Sequence, residues 1–112
     1  MLKNLKAPIL YVNEMRETVD FYLKHLGFKL VQDNGDFVML SLGKTHVALN
    51  KGDGERKVPG HQTIMLISDS IDQDYEALAL SGVNIEMPLT DPGYGKTFIL
   101  RDPDNNKVEI IE

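Results

Sequence analysis

The fold of this chain is best predicted from one stretch, Phe98-Ile-Leu-Arg-Asp-Pro-Asp-Asn-Asn-Lys-Val-Glu-Ile-Ile-Glu112. Both ends of the stretch are β-prone. The middle, Asp102-Pro-Asp-Asn-Asn, predicts a tight turn, since proline presets φ and asparagine tolerates a positive φ. Side chains alternate along a strand, so Val108 and Ile110 share one face and Glu109 lies on the other. An acid among apolar strand residues indicates either a wet face or a chemical role.

Composition limits the classes of function. The chain has 112 residues, enough for one domain, and a net charge of −5, which disfavours binding to nucleic acid or anionic membranes. Cysteine is absent, so disulfides, thiolate nucleophiles and sulfur-rich metal sites are excluded. No apolar run is long enough to span a bilayer, and the first residues lack the apolar stretch of a signal peptide. We therefore expect a cytoplasmic location.

The first half of the chain reads as strand, helix and three strands. Pro8 indicates that the first strand lies at a sheet edge or begins late, because proline cannot donate a ladder hydrogen bond. Asn13 is a typical N-cap residue for the helix, and Gly27 is a typical residue at its C-terminal end. The predicted strands span residues 5–12, 28–32, 37–42 and 45–50.

A polar segment rich in glycine and charge, residues 51–60, separates this half from a second one. Ser70 followed by Gln73 has the pattern of a capping box at the start of a second helix, and Gly82 ends that helix. The predicted strands of this half span residues 61–67, 83–87, 96–101 and 107–111. Both halves therefore read β-α-β-β-β.

The two halves also resemble each other in residues. Leu26-Gly-Phe-Lys-Leu30 in the first half matches Ser81-Gly-Val-Asn-Ile85 in the second. A duplicated unit predicts an α+β fold of two βαβββ modules, each a curved mixed sheet with its helix on one face. The other faces must be buried, so we expect them to enclose a cavity. The modules are predicted at about residues 1–52 and 60–112 of a single domain.

Two motifs resemble the vicinal oxygen chelate superfamily, which includes glyoxalase I, bleomycin- and fosfomycin-resistance proteins and extradiol dioxygenases. One is Val12 followed by the helix that ends Phe21-Tyr-Leu-Lys-His-Leu-Gly-Phe28, and the other is Leu100-Arg-Asp-Pro-Asp-Asn-Asn-Lys-Val-Glu-Ile110. The resemblance covers nearly the whole chain. It implies paired βαβββ modules, a cavity in the curved sheet and a homodimer.

The resemblance also implies where a metal would lie. Metal enzymes of this family take His, Glu or Gln ligands from the first and last strands of each module. Those positions here are Ala7, Ala48, Thr63 and Glu109, and only the last is a usual ligand. The leading interpretation is therefore a protein that binds a small molecule in the cavity without a metal, by sequestration. The expected ligand-binding residues are Ala7, Tyr11, His46, Ala48, His61, Thr63 and Glu109.

Two alternatives remain open. His46 and His61 each lie two residues before an expected ligand position, so alternation places them on the cavity face. With Glu109 they would form a displaced divalent-metal site for a lyase, isomerase or dioxygenase-like enzyme, although histidines near strand ends are more often solvated. The third interpretation is an accessory or regulatory module that uses the fold only for association.

Glu109 itself allows two interpretations. In a dry cavity it would be a catalytic general acid or base. It could instead hydrogen-bond across the cavity or pair with Lys96 or Arg101. Met65 and Ile99 are placed on the same face by alternation, as expected of a pocket that is mainly apolar with a few polar groups.

Overall fold

The computed structural model of the protein describes residues 1–112 and contains two helices and eight strands. The first unit, Met1–Pro59, holds β1 (Ile9–Val12), α1 (Met15–His25), β2 (Lys29–Asp33), β3 (Phe37–Leu42) and β4 (Thr45–Lys51). The second unit, Gly60–Glu112, holds β5 (Thr63–Ile67), α2 (Ile71–Leu80), β6 (Asn84–Thr90), β7 (Thr97–Arg101) and β8 (Lys107–Ile111). Neither helix has the length and apolar character that crossing a membrane requires.

Each unit contains one mixed four-stranded sheet. The strand order is β1-β4-β3-β2 in the first unit and β5-β8-β7-β6 in the second. In each sheet the first strand of the unit pairs in parallel with the last, and the remaining pairs are antiparallel. The predicted α+β fold with two βαβββ modules is therefore confirmed. The predicted cavity involves both modules and stays a prediction.

In the first unit, strand alternation places one set of residues on the sheet face that packs against α1 and the next set on the opposite face. Leu10, Leu40 and Leu49 lie on neighbouring strands and are fully buried. Helix α1 contacts β4 and adds Tyr22 to this core, with its ring edge-on to Phe28 at 5.4 Å between centroids. Burial of such large apolar side chains is the main stabilising term for a unit of this size.

The second unit repeats this arrangement. The ring of Tyr75 on α2 packs edge-on against Phe98 of β7 at 5.0 Å, which shows the sheet face that α2 covers. Leu100 and Val108 lie on that same face and are fully buried. We call the opposite face the helix-free face of the second sheet. On its three adjacent strands β5, β8 and β7 it comprises Thr63, Met65, Ile67, Lys107, Glu109, Ile111, Thr97, Ile99 and Arg101.

The helix N-termini differ from their predicted caps. Helix α1 begins at Met15 with Glu14 at the N-cap, because the carbonyl of Glu14 accepts the first helical bond from the Thr18 amide at 2.9 Å. The prediction of Asn13 as the N-cap is therefore wrong by one residue. The C-terminal prediction is confirmed, since Gly27 adopts the positive φ of 77° that follows a helix end.

The predicted capping box at the start of α2 is also wrong. Ser70 is at the N-cap, but its side chain makes no capping hydrogen bond. The Ser68 hydroxyl, two residues earlier, donates to Asp74 Oδ2 at 2.5 Å and accepts from the Ser70 amide at 3.0 Å. This arrangement fixes the entry of the chain into the helix without Gln73.

Strands β1 and β5 begin two or more residues later than predicted. Strand β1 begins at Ile9, because Pro8 has no amide hydrogen and contributes only its carbonyl, which accepts from the Ala48 amide at 2.9 Å. The prediction from Pro8 is confirmed, and β1 is an edge strand. Strand β5 begins at Thr63, so His61 lies before it. Strand alternation therefore does not reach His61.

Hydrogen bonds from side chains shape the turn between β7 and β8. Asp102 Oδ1 accepts from the amides of Asp104 and Asn106, both at 2.9 Å. Asn105 takes the positive φ of 67° that the turn requires. The buried Asn106 accepts from the Gly60 amide at 2.8 Å through Oδ1, and so ties the start of the unit to its last hairpin. The sequence motif that predicted the fold is therefore a structural turn.

We expect Asp102→Ala to lower the free energy of unfolding by about 3 kcal/mol, because two backbone amides lose a charged acceptor in a buried turn. Chemical denaturation of the purified protein measures this loss. Asp91→Ala is the matched control, since Asp91 accepts one amide bond, from Gly93 at 2.9 Å, in an exposed loop. A loss no larger in Asp102→Ala than in the control would show that the turn does not depend on this carboxylate.

The segment predicted as a linker, residues 51–60, lies in the first unit except for its last residue, and it folds back on itself. The Asp53 amide donates to the Lys57 carbonyl at 3.1 Å, and a Cβ on Gly52 would lie 2.4 Å from that carbonyl oxygen. Asp53 Oδ1 accepts from the amides of Glu55 at 2.9 Å, Lys57 at 3.0 Å and Arg56 at 3.1 Å. These bonds, that from Glu55 first, lower the pKa of Asp53 below 3.8.

We predict that the Asp53 carboxyl titrates below 3.8, which carbon-detected NMR would measure. A carboxyl with a depressed folded-state pKa stabilises the fold above its ordinary pKa, and this contribution is lost as the pH falls through the lower value. The stability difference between the wild type and Asp53→Ala should therefore shrink as the pH drops below 3.8. A titration at or above 3.8 would contradict the three-amide arrangement.

Candidate functional site

Glu109 lies near the middle of the helix-free face of the second sheet. It is half-buried in the central strand β8, opposite Met65 of β5 and Ile99 of β7. The side chain of Met65 is 60% exposed, whereas Ile99 is buried. The carboxylate is therefore flanked on both sides by apolar residues and remains partly accessible.

Thr97 is the polar neighbour of Glu109. Its hydroxyl lies 3.2 Å from Glu109 Oε2 and 2.8 Å from the carbonyl of Ile110. A hydroxyl has one hydrogen to donate, and the shorter contact is to the carbonyl. The carboxylate of Glu109 therefore keeps most of its capacity to accept hydrogen bonds.

The two cations expected to pair with Glu109 bind other acids. Lys96 Nζ lies 3.0 and 3.1 Å from the carboxylate oxygens of Asp72, and this hydrogen bond raises the pKa of Lys96 above 10.5. Arg101 donates from Nε to Glu86 Oε1 at 2.8 Å, with Nη2 at 2.7 Å from the same oxygen. The predicted pairing of Glu109 with either cation is therefore wrong.

Three expected binding residues of the first unit lie on two adjacent strands of its sheet. Tyr11 on β1 and His46 on β4 are half-buried, and Ala48 on β4 is 1% exposed. His46 and Ala48 are two residues apart and so share a face, on which Ala48 lies opposite Ile9 and Met39. The structure places these side chains on one face of the sheet, with a methyl group where the family resemblance would place a ligand.

The remaining expected residues lie at or before strand ends. Ala7 is half-buried but precedes β1, and His61 is exposed and precedes β5. Thr63 is the first residue of β5, is exposed, and lies opposite Lys107 rather than Glu109. These positions follow from the late strand starts described above.

The donor set does not fit a metal ion. Ala7 and Ala48 have no donor atom, and the lone hydroxyl of Thr63 is a poor ligand. No group of three or more His, Asp or Glu side chains is arranged to hold a metal ion. The alternative set draws on both units, since His46 belongs to the first and His61 and Glu109 to the second. That set stays a prediction.

Sequence reasoning missed Thr97. The signal was present, because alternation from the buried Phe98 and Leu100 places Thr97 on the same face as Glu109. A threonine in a β-strand is ordinary, so its type alone indicated no role. Only the hairpin register, which sets Thr97 opposite Ile111, brings its hydroxyl to the carboxylate.

We expect Thr97→Val to lower the free energy of unfolding by about 1–2 kcal/mol, because the buried hydroxyl bond to Ile110 is lost while the shape is kept. Thermal and urea unfolding would measure this. Thr90→Val is the control, since Thr90 pairs with Thr97 across the hairpin but is exposed. Equal stabilities of the two variants would contradict the assigned hydrogen bond.

The arrangement of two βαβββ units defines a class of proteins, and sequence comparison gives the family. The profile of the Glyoxalase/Bleomycin resistance protein/Dioxygenase superfamily matches residues 4–110. The chain belongs to this superfamily. A comparison with characterised proteins by sequence found no significant match.

Solved structures show the same fold. A member of this superfamily from Sphaerobacter thermophilus is 26% identical, with a TM-score of 0.81 over 100% of this chain and 99% of that chain. A protein of unknown function from Agrobacterium tumefaciens is 22% identical, with a TM-score of 0.82 over 100% and 95% of the two chains. TnmS3, an antibiotic-binding protein from a Streptomyces species, is 22% identical, with a TM-score of 0.81 over 98% and 95%.

Proposed function

We propose that this protein binds a small organic molecule on a sheet face that its helix does not cover, and does so without a metal ion. The observation that carries the proposal is Ala48. It lies in an inner strand of the first sheet, on the face opposite that of Leu49; it is itself only 1% exposed and offers a methyl group where the family resemblance places a metal ligand. A face that lacks a metal ligand holds a small molecule by shape and apolar contact through its more accessible residues, with a few polar groups for orientation.

Each unit by itself offers polar groups for such a site. Tyr11 and His46 are half-buried on the first sheet, and Glu109 is half-buried on the second. Likeness to the antibiotic-binding protein TnmS3 supports sequestration as the activity, since a binder of this fold needs no reaction. We extend the proposal to a homodimer in the cytoplasm, in keeping with the family resemblance.

Elemental analysis of protein purified without chelators tests the metal-free part of this proposal. We expect less than a stoichiometric amount of any divalent metal, because the donor set is incomplete. A stoichiometric metal that is lost in both His46→Ala and His61→Ala would instead favour the metal-dependent enzyme. Lys44→Ala, an exposed residue in the turn before β4, is the control for general effects of substitution.

Thermal-shift screening against metabolites and antibiotics tests the binding part. A ligand present at about 100 times its Kd stabilises the native state by about 2.7 kcal/mol, so we expect a rise in Tm of roughly 10 °C for a true ligand. A ligand that binds the proposed face of the first sheet should lose affinity in His46→Ala, where a half-buried side chain is removed, and keep it in Lys44→Ala, where the side chain is exposed. Failure of every compound to raise Tm would favour the accessory or regulatory module.

A further inference from the structure

We propose that Glu109 is the counter-ion for a protonated amine on the ligand, so that the second unit selects apolar molecules with one cationic nitrogen. This inference rests on the proposed small-molecule function and names the chemical class of its ligand. It starts from an imbalance of charge on the helix-free face of the second sheet. A half-buried carboxylate lies there among apolar residues without a cation of its own.

The cationic side chains of this face do not neutralise Glu109. Arg101 is held by Glu86 and also donates from Nη1 to the Asn105 carbonyl at 3.2 Å. Lys107 lies two residues before Glu109 in the same strand, and no ion pair joins their side chains. The carboxylate therefore remains an uncompensated negative charge.

Neutral hydrogen-bond donors of the protein do not satisfy the Glu109 carboxylate either. The only hydrogen-bond partner of the Glu109 side chain is the Thr97 hydroxyl, at 3.2 Å from Oε2. That hydroxyl has one hydrogen and lies closer, at 2.8 Å, to the Ile110 carbonyl. A carboxylate can accept several hydrogen bonds, so Glu109 has room for a strong donor such as an ammonium group.

The surroundings of Glu109 supply the apolar half of the site. Met65 is 60% exposed and lies directly opposite Glu109 on β5, and Ile67 on the same strand face is 84% exposed. Ile111 is half-buried opposite Ile67 on β8. A ligand with an apolar body would cover this surface while its nitrogen reached the carboxylate.

Charge complementarity decides between classes of ligand. An ammonium group gains a charge-assisted hydrogen bond at Glu109, which is roughly twice as strong as a neutral one. An alcohol of the same shape would keep the apolar contacts and lose the charge term. A carboxylate ligand would be repelled by Glu109 and by a chain whose net charge is −5.

A matched series of probes tests this preference on the full chain at neutral pH. The probes are 4-phenylbutylamine, 4-phenylbutanol and 4-phenylbutyrate, which share an apolar body and differ in the polar end. NMR titration gives each Kd, and the methyl signals of Met65 and Ile99 report whether binding is local. We expect the amine to bind about tenfold more tightly than the alcohol, and the carboxylate more weakly than both.

Two carboxyl-to-amide substitutions separate the effect of the Glu109 charge from the effect of the net charge of the chain. Glu109→Gln should reduce the preference for the amine over the alcohol to less than twofold. Glu76→Gln removes the same charge from the exposed surface of α2 and should leave the preference unchanged. In the wild type, added salt should weaken binding of the amine and leave binding of the alcohol unchanged, a test that needs no variant.

Several results would overturn the inference. Equal affinities for amine and alcohol, a preference that survives in Glu109→Gln, or no shift at Met65 and Ile99 would each show that Glu109 does not select a cation. Metabolites or antibiotics that raise Tm in the screen while these probes show no preference would leave the proposed binding function standing. The two failures are therefore distinguishable.

Discussion

One helix can cover only one face of a four-stranded sheet, and this constraint governs both units. In the second unit, α2 covers the face that carries Phe98, as the contact between the rings of Tyr75 and Phe98 shows. The strand period of two then assigns every other residue to the opposite face. Glu109 lies there because its neighbours Val108 and Ile110 are needed in the core. The position of the candidate site thus follows from the packing of the helix.

This dependence explains how much of the fold the sequence revealed. Alternation, turn residues and the helical spacing of apolar residues are local properties, and they predicted the βαβββ modules and the turn at Asp102. Capping depends on finer geometry. Ser70 and Gln73 match a capping box in type and spacing, yet the neighbouring Ser68 hydroxyl binds Asp74 instead. Several side chains can satisfy the same amides, and sequence alone does not choose among them.

The candidate site was predictable in part for the same reason. The alternation of side chains along a strand predicted the correct sheet face for Glu109. Its hydrogen-bond and charge partners depend instead on contacts between strands. Arg101 pairs with Glu86, which lies at a register shift between Ile85 and Met87 in β6. No local sequence pattern predicts that shift. The prediction for His61 is wrong because it takes β5 to begin at residue 61, whereas the strand begins at Thr63. Long side chains and strand ends are therefore where sequence reasoning fails in this molecule.

The strand order has a consequence for how the protein is made. In each unit the last strand in sequence lies inside the sheet, between the first strand and the third. A parallel pair of this kind requires both partners, so neither sheet closes before its final strand emerges from the ribosome. All four strands of the first sheet have been translated by Lys51, before the first strand of the second sheet begins at Thr63. Synthesis thus imposes an order on two units that the duplicated sequence leaves equivalent.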